Sequence, residues 1–284
     1  MTINCKGSLI DLSYPKVMGI LNLTPDSFYD GGTYKNETEI LKKVASMIEE
    51  GATFIDLGAY SSRPGAEHIS IEEEKKRILP IVSLLVKEFP NILLSIDTFR
   101  SEIARVCIEA GAALINDISA GNLDTNMFQT VGKLAVPYIM MHMKGNPKTM
   151  KTLDTYDNLL LEINTYFAQK IAEARKYGIN DIIIDPGFGF AKNTAQNFEL
   201  LKNLQLLSFH DTPILAGLSR KSMIYKTLNL TPKDALNGTT AMNTVALLNG
   251  SNILRVHDVK EAIECIRLVT QVKTNNDIKN ETVL

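Results

Sequence analysis

Between residues 93 and 119 the chain reads LLSIDTFRSEIARVCIEAGAALINDIS. An apolar run over 93–98 closes on Asp97, a helical period follows, and Gly111 leads into a second apolar run, 114–119, carrying Asn116-Asp117. Nearly continuous apolar strands separated by a helix are the pattern of parallel strands covered on both faces. A glycine just before the strand suits the left-handed end of a helix, and Gly51 and Gly178 stand in equivalent places. Working outward, further strands are predicted at 17–23, 54–59, 137–143, 181–185, 213–218 and 252–257, which makes eight. Ile78, Ile81, Val82 and Leu85 follow i, i+3, i+4, i+7, as do Val259, Ala262, Ile263 and Ile266. Eight strand–helix units predict an α/β fold, a (β/α)8 TIM barrel. An open doubly wound sheet uses the same units, but no Gly-rich dinucleotide fingerprint follows the first strand. Residues 1–13 are expected to form a short hairpin at the barrel bottom, and the polar tail from about Thr274 to fray. No linker rich in Pro, Gly or Ser interrupts residues 1–284, so a single domain is predicted.

Apolar residues make up 45% of the 284 and charged ones 22%, which excludes a disordered chain. Thirty Lys and Arg against thirty-two Asp and Glu leave a formal charge of -2, so no basic footprint for nucleic acid exists. No apolar run nears the ~18 residues that span a bilayer, and Met1–Lys6 has no signal-peptide core. A cytoplasmic protein without a membrane partner is expected. Cys5, Cys107 and Cys265 are far apart and without metal-ligand spacing, and the two within apparent amphipathic helices read as small buried thiols.

The polar residues concentrate at the C-terminal ends of the predicted strands: Asn22, Asp56, Asp97, Asn116, His142, Asp185, Lys221, Arg255 and His257. In barrel enzymes that rim carries the active site. A lone Asp there is commonly a helix cap, but so many rim positions together point to a site. Asp97, Asn116 and Asp185 suit a ligand edge rich in N–H donors, since a carboxylate takes paired donors strongly. A turn or cap is the lesser reading of Asn116-Asp117, and Asp56 either holds loop backbone or serves the site. Arg255 and His257 alternate along one strand and share a face. With Arg63 and Asn22 they could meet over an anion such as phosphate. His142 is either a core histidine or a rim group, while His68 and His210 read as surface residues. Segments 24–35 and 60–70, rich in Gly, Pro and Ser, are candidate lids over the barrel mouth.

Met18-Gly-Ile-Leu-Asn-Leu-Thr-Pro-Asp-Ser-Phe28 with Asp30-Gly-Gly32, and Asp56-Leu-Gly-Ala-Tyr-Ser-Ser-Arg-Pro-Gly65, closely resemble two signatures of the dihydropteroate synthase family. Further matches are Ser95–Thr98, Asn116-Asp117, Met141–Pro147, Asp185–Phe190, Gly217–Ser222 and Arg255–His257, in order over about residues 15–270. The resemblance implies a barrel enzyme of folate synthesis that joins 4-aminobenzoate to 6-hydroxymethyl-7,8-dihydropterin diphosphate and releases pyrophosphate. It implies pterin contacts at Asp97, Asn116, Asp185 and Lys221, with Met140, Phe190 and Gly217 lining the slot. It places Mg²⁺ on Asn22, the diphosphate on Asn22, Ser62, Arg63, Arg255 and His257, and the aminobenzoate near Phe28, Pro64 and Ser222. Lys221, Asp97, Asp185, Arg63, Arg255 and His257 are the expected catalytic set, and a homodimer built on the last helices is the expected assembly. Two positions depart from the family pattern: Tyr60 replaces a usual Glu, and Lys144 a common Gln. A pterin-binding methyltransferase acting on a corrinoid protein would share the barrel but needs no diphosphate site. A non-catalytic pterin-binding subunit is the third reading.

Overall fold

The chain begins with a two-stranded antiparallel hairpin, β1 (Thr2–Cys5) and β2 (Ser8–Asp11). Lys6 and Gly7 both take positive φ, 53° and 81°, the geometry that lets a two-residue turn follow strand twist. Ile3, Cys5 and Leu12 are fully buried and pack on Met18, Phe54, Leu114, Ile139, Ile183, Leu215 and Ile253. These seven are inward side chains from the lower ends of seven strands, so the hairpin plugs the barrel bottom. The computed structural model describes residues 1–23, 33–60, 69–147 and 149–280.

The remaining strands are β3 (Lys16–Asn22), β4 (Phe54–Gly58), β5 (Leu94–Asp97), β6 (Leu114–Asp117), β7 (Tyr138–Met141), β8 (Ile182–Asp185), β9 (Leu215–Ala216) and β10 (Ile253–Val256). They form one parallel sheet in the order β8-β7-β6-β5-β4-β3-β10-β9. A parallel bridge pairs Ile184 with Ile214, and the Ile184 N–H donates to the Pro213 carbonyl at 2.9 Å. That contact joins the two sheet edges and decides for a barrel over an open sheet. The helices form the outer layer, and Gly51, Gly111 and Gly178 do take positive φ before their strands.

Three boundaries differ from expectation for physical reasons. Pro213 has no N–H for the ladder, and the 213–218 run keeps only Leu215–Ala216 as strand. The helix Thr33–Glu49 claims the end of the 24–35 loop. The last helix, Val259–Asn280, runs past Thr274, where neither Pro nor Gly stands to stop it. All three cysteines are buried and free, and burial pushes the Cys5 and Cys107 thiols up to about 12. Among the described residues no helix is long and apolar enough to cross a membrane.

Phe54 is a large, fully buried ring of the bottom plug. Phe54→Ala should cost about 3–5 kcal/mol of unfolding free energy, because the void cannot collapse against strand backbone. Urea unfolding with an unchanged midpoint would show that the plug contributes no such packing.

Candidate functional site

Strand register decides which side chains enter the barrel. Met18 pairs with Phe54, Ile20 with Asp56, Asp56 with Ser95, Asp97 with Asn116 and Met141 with Asp185. Alternation then points Asp56, Ser95, Asp97, Asn116, Asp185, Arg255 and His257 inward, above the apolar plug. The same alternation corrects one expectation. Met140 pairs with Asp117 and Ile184, faces outward and packs in the helix-layer core, whereas Met141 faces inward with Ile118, Met143, Phe99 and Phe190. Met141, not Met140, supplies the apolar wall.

Arg255 sits between two acids. Its Nε donates to Asp56 Oδ2 at 2.6 Å and its second terminal nitrogen to Asp97 Oδ2 at 2.8 Å. Asn116 Nδ2 donates to the same Asp56 oxygen at 3.1 Å. Asp56 therefore belongs to the site and does not hold loop backbone; the loop is Asp117's work. Asp117 accepts from the Ser119 and Gly121 backbone N–H groups and from the Tyr138 hydroxyl at 2.6 Å. One guanidinium cannot neutralise two carboxylates, and burial, with repulsion from Asp56 added, pushes Asp97 up to about 7 despite Arg255. Arg255 itself is raised, because Asp56 and Asp97 outweigh its burial. Asp56 Oδ1 and Ser95 Oγ are buried without a hydrogen-bond partner among the described residues, so acceptor capacity remains beneath the mouth.

Asp185 ends β8 on the opposite side of the barrel. Its Oδ1 accepts from the Gly187 N–H at 2.8 Å, and burial raises its pKa against Lys221. Lys221 occupies the cap position before helix Ser222–Thr227, donates to the Phe188 carbonyl and lies 4.9 Å from the Phe190 ring centroid. Burial lowers it to about 8. A Cβ on Gly217 would meet Lys221 Nζ at 3.9 Å and Asp185 Oδ2 at 4.0 Å, so glycine keeps the space between them open. His257 is oriented by Ser219, whose Oγ lies 2.9 Å from Nδ1 and accepts from the His257 backbone N–H. Asn22, at the end of β3, pairs with Gly58. Phe28, Ser62, Arg63, Pro64 and His68, with most of both candidate lids, lie outside the described residues.

His142 resolves as a core group: it is buried, and its Nδ1 lies 3.0 Å from Lys192 Nζ. His210 is not a plain surface residue, since its Nε2 is buried and its ring packs 6.1 Å from Phe167. Lys192 and the buried Glu74–Arg100 pair (2.6 Å) escaped the sequence reading, and Ser219, inside the Gly217–Ser222 match, was given no role there. The two departures also find partners. The Tyr60 ring stands edge-on to Phe99 at 5.1 Å with the Arg100 guanidinium 5.2 Å from its centroid. The counter-charge of Arg100 is Glu74, at 2.6 Å. Lys144 pairs with Glu162 at 2.7 Å and lies 3.6 Å over the Tyr156 ring.

If Asp56 and Asp97 share one cation, Asp56→Ala should lower the Asp97 pKa, because a repelling charge leaves and Arg255 has one acid left to serve. A ¹³C-carboxylate titration of Asp97 that stays near 7 would show that the two acids do not share it.

A family model described as pterin binding enzyme matches residues 18–257. A dihydropteroate synthase of Escherichia coli (strain K12) is 42% identical over 271 residues, 95% of both chains. The fold superposes on a Yersinia pestis dihydropteroate synthase solved with a sulfonamide drug, with a TM-score of 0.90 and 40% identity over 96% of this chain and all of that one. A Xanthomonas albilineans dihydropteroate synthase in complex with 7,8-dihydropteroate gives 0.85 and 35%, over 96% of this chain and 99% of that one.

Proposed function

The chain belongs to the pterin-binding enzyme family, as a transferase of the dihydropteroate synthase type, and we propose how its rim residues divide the reaction. The enzyme joins 4-aminobenzoate to 6-hydroxymethyl-7,8-dihydropterin diphosphate, giving 7,8-dihydropteroate and pyrophosphate. The bond between the methylene carbon and the diphosphate oxygen breaks, its electron pair leaving with the diphosphate. The aniline nitrogen forms the new C–N bond and gives up a proton. Cationic character grows on the pterin side and anionic charge on the leaving group.

Asp97, Asn116 and Asp185 accept the pterin N–H donors and oppose the growing positive charge. Lys221 donates to a ring acceptor, with Phe190 and Met141 as apolar walls and Gly217 as the open floor. Ser62, Arg63, Arg255 and His257 receive the diphosphate, while Phe28, Pro64 and Ser222 surround the aminobenzoate. Arg255 connects the two halves. A pterin N–H at Asp97 replaces one of its bonds, leaving the guanidinium a hand for the diphosphate. The observation that carries this division is the Asp56–Arg255–Asp97 bridge set opposite Asp185 and Lys221.

Mg²⁺ fits this rim in one way. No cluster of three His, Cys, Asp or Glu exists among the described residues, and Asn22 offers a single amide oxygen. That donor set suits a hydrated ion brought by the diphosphate, not a resident cage. Asn22 would hold it, and the ion would neutralise charge on the leaving group. A homodimer is supported by Leu248, Leu268 and Val272, large apolar side chains exposed on helix Leu236–Leu248 and on Val259–Asn280. A cytoplasmic site fits substrates that are small charged metabolites.

Asp185→Asn should leave the fold intact and cost about 1.5–3 kcal/mol of pterin affinity, the worth of a charge-assisted contact. Calorimetry with 6-hydroxymethylpterin measures this, and pyrophosphate release from both substrates, with and without Mg²⁺, measures the reaction. Unchanged affinity in a folded variant removes Asp185 from the pterin site. The pH profile of kcat/KM should be bell-shaped. The acid limb sets in below about 7, where Asp97 takes up a proton and stops accepting; the alkaline limb lies above about 8, where Lys221 loses one. A flat profile from pH 6 to 9 would contradict both roles.

A further inference from the structure

We propose that Lys192 is a positioning residue of the pterin slot, an internal ammonium that fixes the loop between Asp185 and Lys221. This rests on reading Asp185 and Lys221 as pterin contacts. The segment Gly187–Phe190 has little stiffness of its own, because Gly187 and Gly189 both lie at positive φ, 70° and 79°. It nonetheless carries the Phe188 carbonyl that receives Lys221 and the Phe190 ring beside it. Lys192 reaches back into this loop. Its Nζ donates to the Gly187 carbonyl at 3.1 Å and the Phe190 carbonyl at 3.0 Å, and lies 3.0 Å from His142 Nδ1. Burial lowers Lys192 to about 7, and when it is protonated its three N–H groups meet three acceptors, two of them in the loop. Asn197 ties the same segment to the next helix, accepting from the Gly189 N–H at 2.7 Å and donating to the Lys192 carbonyl at 3.1 Å.

The position is costly for a purely structural role. Lys192 is buried, and a shape-filling apolar residue would avoid the penalty of desolvating a cation. The groups facing it are His142 and Lys144 after β7, Asp185 from β8 and Lys221 beyond β9. Among these, Asp185 is the only anion and Lys221 the nearest functional cation. Lys192 therefore eases ionisation of Asp185 while setting the height of the carbonyl that Lys221 grips. His142 is neutral and must offer a bare Nδ1, so it carries its proton on Nε2.

Calorimetry with 6-hydroxymethylpterin and with pyrophosphate, on the unaltered protein and on Lys192→Met, tests the proposal. Lys192→Met should lower pterin affinity about tenfold, the loss of one charge-assisted support, and leave pyrophosphate affinity unchanged. The acid limb of pterin binding should move to higher pH, because Asp185 loses a cation that eases its ionisation. A folded variant with a lower melting temperature but unaltered pterin affinity and limb overturns the proposal and makes Lys192 a packing residue. Absence of pterin binding to the unaltered protein overturns this proposal together with the reading of the site. If Lys192→Met does not fold, the ¹⁵N-histidine spectrum of the unaltered protein decides. An Nε2–H tautomer at His142 whose Nδ1 signal shifts on adding 6-hydroxymethylpterin supports the proposal; an Nδ1–H tautomer, or no shift, overturns it.

Discussion

Two carboxylates, Asp56 and Asp97, rise from neighbouring strands into one enclosed space and share the guanidinium of Arg255. Taking three charged groups out of water is expensive, and a mutual arrangement of this kind offsets the cost only partly. The barrel makes it tolerable by supplying Asn116 as a further donor and by keeping the charges near the open end, above an apolar plug. The excess of acid over base at this point is what leaves a carboxylate available to a donor-rich ligand. Chemistry at the mouth and instability at the mouth have the same origin.

Around that centre, cations also hold the rim loops to one another. Arg100, from the loop after β5, reaches Glu74 and the Ile69 carbonyl at the end of the preceding connection. Lys144, after β7, reaches Glu162 and the Thr155 carbonyl. Arg220, after β9, forks onto Asp258 with contacts of 2.9 and 2.8 Å and caps the carbonyls of Pro232 and Lys233. Two of these βα loops are thus tied to a neighbouring unit and a third to its own following helix by directed bonds, which carry the rigidity of the sheet up to the site.

Much of this was readable from residues alone. Asp97, Asn116, Asp185 and Arg255 interrupt apolar runs, and a polar group ending a buried strand has few places to go except the mouth. Met140 shows where such reading fails. In a strand covered on both faces every residue is apolar, so Tyr138–Met141 carries no sign of which side chains face inward, and only pairing with Asp185 supplies the phase. Lys192 shows another limit: two of its acceptors are in the adjacent glycine-rich loop, but the third, His142 Nδ1, comes from fifty residues earlier. The closure by eight units was legible as a count, while the two-residue length of β9 followed from Pro213.

The cysteines offer a different use of the fold. Cys5 lies in the bottom hairpin, Cys107 in the helix Ser101–Glu109 and Cys265 in the last helix, each buried and none paired. Shielded thiols with raised pKa are poor nucleophiles, so in the native state they ignore alkylating reagents. Their modification therefore reports opening of the region that hides each one. Three separate elements carry one such reporter apiece. Mass spectrometry of partially alkylated chains would show whether the bottom plug, the outer helices and the C-terminal helix let go together or in turn.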